Sequence, residues 1–177
     1  TLSQAVSAQE YSRLFERDGF GVVSSTEYLS RGAWTQSGAQ YGTFGNFNYS
    51  LEAFYRSDPG QRVNNDIVER HLFLTLKQQI TPEDSVYLRV EHFEADGGDL
   101  AQYYDPSMAS LGFRYKETHE PIVALGYHHE WSPGVHTLFF ATRLDDTVSF
   151  TNQAQPTLVA FRPDVDPIFM PGITMLT

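Results

Sequence analysis

Leu72-Phe73-Leu74-Thr75-Leu76-Lys77-Gln78-Gln79-Ile80 runs into Thr81-Pro82-Glu83-Asp84 and leaves it as Ser85-Val86-Tyr87-Leu88-Arg89-Val90-Glu91. Apolar residues recur at every second position on both sides of the proline. That is the period of an extended strand, whose side chains point alternately to two faces. Two such runs joined by a short Pro-containing break read as an antiparallel hairpin. A second copy follows in Val123-Ala124-Leu125-Gly126-Tyr127-His128-His129-Glu130-Trp131, the turn Ser132-Pro133-Gly134, and Val135-His136-Thr137-Leu138-Phe139-Phe140-Ala141-Thr142-Arg143-Leu144. The polar rows of these ribbons carry Lys77, Arg89, Glu91, His128, Glu130 and Arg143. Charges of that density are foreign to the core of a sandwich and suit the wet interior of a membrane barrel.

The bulk properties permit that reading. The chain has 177 residues, 41% of them hydrophobic, and a mean hydropathy of -0.36. No run of about twenty apolar residues is present, which excludes a helical membrane protein. A barrel exposes only every second strand residue to lipid, so its average hydropathy stays low. Aromatic residues make up 14%, enough to furnish rings at both bilayer interfaces. The net charge of -10 and the absence of a basic cluster argue against a nucleic-acid partner. With no Cys, disulfides, thiolate metal sites and cysteine nucleophiles are excluded together. The start, Thr1-Leu2-Ser3-Gln4, carries neither initiator Met nor signal features and reads as a mature chain or a fragment.

Three parts are expected. Residues 1–18 read as a helical lead-in, with Leu2, Val6, Leu14 and Phe15 roughly on one side and Asp18-Gly19 as a stop. Residues 19–162 read as barrel strands, placed over 20–29, 33–41, 46–56, 66–80, 85–95, 121–131 and 135–150, with a weaker one over 156–162. Residues 163–177, with Pro163, Pro167 and Pro171, read as an irregular Pro-rich tail or loop. Tight turns over 42–45, 81–84 and 132–134 alternate with longer connections over 57–65 and 96–120, as a meander through a bilayer requires. Ser30-Arg31-Gly32 is short where that scheme expects a long loop. The expected fold is all-β: an antiparallel up-and-down transmembrane β-barrel, or a partial barrel sheet, behind a short N-terminal helix.

Alternation also assigns the facing. Phe47, Tyr49, Leu51, Ala53 and Tyr55 share one side of their strand, and Asn48, Ser50, Glu52, Phe54 and Arg56 share the other. A charge at the bilayer midplane costs about 2–4 kcal/mol on the lipid side, so the polar set must point inward. The expected lumen lining is Glu52, Arg56, Lys77, Arg89, Glu91, His128, Glu130 and Arg143, and the expected interfacial aromatics are Tyr49, Tyr55, Tyr127 and Trp131.

Several segments, namely Ser25-Thr26-Glu27-Tyr28-Leu29-Ser30, Tyr41-Gly42, the stretch from Phe54 to Asp66, that from Leu76 to Ser85, and that from Leu125 to Gly134, give the chain a resemblance to a known class. It resembles large bacterial outer-membrane proteins in which periplasmic tetratricopeptide-repeat helices precede a C-terminal β-barrel, over roughly 20–150. The resemblance implies a bacterial outer-membrane location, outer-membrane lipid as a partner, and export of polysaccharide. The helix over 2–18 would be the end of a repeat array.

The residues also offer the ingredients of other chemistry. His128 and Glu130 share a face and, with His92 or His136 across a hairpin, have the donor types of a metal site; a lumen-facing polar pair is the simpler reading. Glu94, Asp96, Asp99 and Asp105 surround Gly97-Gly98 in an acidic loop with calcium-type oxygens but no twelve-residue loop spacing. Tyr103-Tyr104 with Trp34 and Tyr55 could stack on sugars, although an interfacial girdle explains the same rings. No nucleophile elbow or glycine-rich phosphate loop is present, so no catalytic residue, metal or cofactor is assigned and the chain is not expected to be an enzyme. The expected function is a polar-lined pore or conduit for a hydrophilic cargo. The rivals are a structural anchor within a larger protein assembly and a soluble β-barrel or sandwich that binds a ligand.

Overall fold

The computed structural model describes residues 18–102, 105–162 and 165–176. Nine strands follow one another: β1 (Gly19–Tyr28), β2 (Trp34–Phe44), β3 (Phe47–Asp58), β4 (Ile67–Gln79), β5 (Asp84–Gly97), β6 (Phe113–Ser132), β7 (Val135–Arg143), β8 (Asp146–Arg162) and β9 (Val165–Leu176). A 3-10 turn, Pro106–Met108, interrupts the connection between β5 and β6. All pairings are antiparallel within one sheet, and from β1 to β6 each strand lies beside its sequence neighbour. The all-β antiparallel meander is therefore present. Among the described residues the sheet is open and does not close into a barrel: β1 pairs only with β2, and β9 only with β8. The expected helix over 2–18 lies outside the described residues apart from Asp18, which occupies a bend.

The hairpins form where the turn chemistry allows. Gly45, at φ 55°, supplies the left-handed position of a two-residue Gly-Asn connection, so the turn expected over 42–45 sits at its end and β2 continues through Phe44. At 80–83, Thr81 and Asp84 close the turn through reciprocal backbone bonds of 3.3 Å. Gly134, at φ 83°, turns β6 into β7. These tight connections share one rim. The opposite rim carries the connections 29–33, 59–66 and 98–112.

The loop rim is knitted together. Asn64 Nδ2 donates to the carbonyls of Ser110 and Phe113, both at 2.8 Å, and the Asp99 N–H donates to the Asn64 carbonyl at 2.6 Å. A Cβ on Gly98 would sit 2.2 Å from the Asn64 carbonyl oxygen, so only glycine permits this approach of two loops.

The largest departure from expectation lies in β6. Pro121 reads as a strand start, with 96–120 as a long loop before it, yet the strand begins at Phe113 and passes through the proline. The register explains how. Glu91 faces Ile122, whereas Phe93 faces His119, so β6 holds one more residue than β5 around Glu120-Pro121. The same surplus appears on its other side, between the pairs Val123↔Arg143 and His119↔Asp146. A bulge leaves a residue outside the ladder, where a proline lacking an N–H costs nothing. Above the bulge β6 pairs with β8, and below it with β7. The run expected over 135–150 is thus divided into β7 and β8 at Leu144-Asp145, and the weaker strand over 156–162 belongs to β8. The tail expected to be irregular over 163–177 contains β9, paired with β8 through a ladder whose register shifts at three places.

Every buried strand side chain among the described residues lies on one side of the sheet: Ala39, Tyr41, Thr43, Asp58, Ile67, Ser85, Ala95 and Ala124. We call this side the inner face, because its side chains shelter one another.

Candidate functional site: a polar inner face and an apolar outer face

Cross-strand register carries each residue to a definite side. Glu52, Arg56, Lys77, Arg89, Glu91, His128 and Glu130 share the inner face. Arg143 does not. It pairs with Val123 on the outer face, because the alternation along β7 runs opposite to the lumen assignment, and its guanidinium reaches Asp145 at 3.2 Å.

The inner face is organised by charge toward the loop rim and by rings at mid-height. Arg56 bridges Asp58 at 3.4 Å and Glu69 at 3.3 Å, and Arg31 meets the same Asp58 at 3.5 Å. The Asp58 carboxylate is well sheltered, so its two guanidinium partners and the Gly60 N–H at 2.9 Å replace the water it loses. Lower down, Arg89 pairs with Glu91 at 3.1 Å and lies 5.4 Å from the Phe73 ring centre. Between these groups a row of rings crosses four strands: Phe54 to His71 at 5.4 Å, His71 to Phe93 at 4.3 Å, and Phe93 to His119 at 4.8 Å. Beside the row an open cavity of about 700 Å³ runs toward the loop rim, with Ile67, Phe93, Ala95, Glu117 and Phe150 in its wall.

At the end of the ring row stands a group that sequence reasoning missed. Glu117 and His119, two apart on β6, share the inner face with Asp146 at the head of β8. His119 Nε2 is 2.8 Å from Glu117 Oε1 and 3.4 Å from Asp146 Oδ1. The signal was a Glu-x-His pair, hidden because Pro121 assigned both residues to a loop.

The other expected groupings separate. His128 Nε2 and His136 Nδ1 approach to 3.0 Å on the inner face, whereas His92 is on the outer face, where its Nδ1 donates to the His119 carbonyl at 2.9 Å. The four acids of the 94–105 stretch do not converge. Glu94 pairs with Arg70, Asp96 with Arg114, and Asp99 accepts the N–H groups of Ala101 and Ser110. Asp105 accepts the Ser107 N–H at 2.9 Å, and this bond with the Ser107 hydroxyl holds its carboxyl below the usual carboxylate range. Tyr103 and Tyr104 lie outside the described residues.

The outer face is a broad apolar surface on β3–β6. One rung reads Leu51, Leu74, Val90, Val123; the next toward the turn rim reads Tyr49, Leu76, Leu88, Leu125. Leu51, Leu72, Val86 and Leu125 are among its exposed members. Aromatic rings gather at both ends. Phe44, Phe47 and Tyr49 stack near the turn rim at centroid separations of 6.1 and 6.2 Å, with Tyr127 and Trp131 on the same rim. Trp34 meets Tyr55 at 5.2 Å toward the loop rim. Phe47 and Tyr55 are eight residues apart on β3, about 27 Å at ~3.4 Å per residue. The outer face becomes charged from the Tyr55 rung onward, with Arg70–Glu94 at 3.3 Å on that rung and Arg114–Asp66 at 3.0 Å beyond it.

No protein-family model, no curated protein and no solved structure matches this chain.

Proposed function

We propose that this chain supplies part of a bacterial outer-membrane β-barrel, with the outer face of β3–β6 against lipid and the inner face toward a water-filled path for a hydrophilic cargo. The observation that carries this reading is the sorting of the sheet. On β3–β6 the exposed Leu, Val and aromatic rows are on one side, and the ion pairs Arg56–Glu69 and Arg89–Glu91 are on the other. In water such an arrangement would leave a contiguous apolar surface against solvent, the reverse of what solvent favours. In a bilayer both faces find their preferred surroundings. Mixed charge on the wall suits hydrated, weakly selective passage over a narrow ion filter. Polysaccharide is the cargo class that the family resemblance suggests, and no chemistry on the cargo is required of the wall. Rings at both ends of β3 suit the two interfaces of one bilayer.

Planar-bilayer conductance of the purified protein tests the conduit. Stepwise currents are expected, and substitution of Arg89 by Glu should change the cation-to-anion permeability ratio. Inserted but electrically silent protein would overturn the conduit and leave the anchoring role.

A further inference from the structure

Beyond the conduit, and independently of it, we propose that Glu117, His119 and Asp146 form a binding site for one divalent transition-metal ion that ties β6 to β8. Three donors of suitable chemistry, one imidazole nitrogen and two carboxylate oxygens, lie within 4.8 Å of one another. His119 Nε2 stands 2.8 Å from Glu117 Oε1 and 3.4 Å from Asp146 Oδ1. Donors bound to zinc at about 2.0–2.1 Å in tetrahedral geometry sit ~3.3 Å apart, and the two histidine–carboxylate distances bracket that separation.

The protein leaves the group otherwise unsatisfied. Asp146 Oδ1 is buried without a hydrogen-bond partner, its contact with His119 being close enough for attraction but not aligned as a hydrogen bond. His119 Nδ1 is buried and unpartnered as well. Among the described residues neither carboxylate is paired with an arginine or a lysine; His119 is the partner of both. Two carboxylates converging on one imidazole carry excess negative charge that a divalent cation would neutralise.

The fold holds the donors in place. Glu117 and His119 project to one side because they are two apart on a strand, and the bulge at Glu120-Pro121 immediately follows. The His119 carbonyl, beside the bulge, accepts from His92 Nδ1 at 2.9 Å, and the His119 ring rests 4.8 Å from that of Phe93. Asp146 arrives on β8 as the direct cross-strand partner of His119. One nitrogen among the donors favours zinc, manganese or iron over magnesium and calcium, which prefer oxygen alone. Three protein ligands leave a position open toward the inner face.

The test is zinc titration of the metal-stripped, purified chain against a competing chromogenic chelator, with the cobalt(II) absorption spectrum as a second readout. One equivalent of zinc is expected to bind with micromolar or tighter affinity. His119→Ala and Asp146→Asn should each weaken it at least tenfold, and His128→Ala, which removes the separate His128–His136 pair, should leave it unchanged. Asp146→Asn preserves shape, so it decides the matter if His119→Ala fails to fold. Absence of stoichiometric binding, or binding that survives both substitutions at the triad, would overturn the site. So would binding lost only on changing His128.

Discussion

Two parts of the sheet at the same height carry opposite surfaces. Along one rung of the outer face the residues are Val22, Gln40, Leu51, Leu74, Val90, Val123 and Arg143, in strand order from β1 to β7. The middle four, on β3–β6, are apolar; Gln40 and Arg143 flank them. On β1–β2 the outer face is apolar only toward its two ends, at Phe20, Val22 and Phe44 and at Tyr28 and Trp34, and polar between them. Ser24, Thr26 and Gln36 hydrogen-bond one another on the outer face, while Val23, Ala39 and Tyr41 pack together on the inner one. A uniform barrel wall would show one pattern throughout. On the membrane reading proposed above, the difference confines the lipid-facing surface at this height to β3–β6.

Single substitutions sharpen that contrast. Leu74→Arg should lower bilayer stability by about 2–4 kcal/mol, the cost of a cation at the midplane of a lipid-facing wall. Equilibrium unfolding from liposomes measures it, and an effect below about 1 kcal/mol would break the comparison. Asp58→Ala on the inner face should cost about 1–3 kcal/mol, because Arg31 and Arg56 lose the carboxylate they share. Its effect should be equal in detergent and in lipid if, as proposed, the inner face is turned away from the bilayer. Tyr127→Phe removes the hydroxyl that donates to Asp84 at 2.5 Å and should lower stability less than Asp58→Ala does, because the bond is exposed at the turn rim. Gln40→Arg should change stability by less than about 0.5 kcal/mol, as for a surface residue away from the lipid wall. A cost equal to that of Leu74→Arg would extend the membrane surface to β2.

How far the fold was legible follows from the same physics. Alternation in β3, β4 and β5 stands out because one face is apolar along the whole run, and strand boundaries there fall within about two residues of expectation. The first half of β6 was not legible. Arg114, Lys116 and Thr118 point outward from it, so no apolar row marks it, and Pro121 carried a stop signal that the bulge cancels. The metal triad was lost with that half-strand, since Glu117 and His119 acquire a common side only once they are extended. Arg143 shows the complementary error. Its charge suggested the polar face, but facing is set by cross-strand register, and that register was invisible until β6 and β7 were paired.

The central claim concerns which row meets lipid, and spin-label accessibility measures it most directly. The chain contains no Cys, so single cysteines can be placed and labelled one at a time in reconstituted protein. At Leu74, Leu76, Leu88 and Val90 the labels should relax with membrane-dissolved oxygen; at Thr75, Lys77, Arg89 and Glu91 they should relax with a water-soluble nickel chelate. Alternation in the opposite phase, or nickel access at all eight positions, would contradict the account.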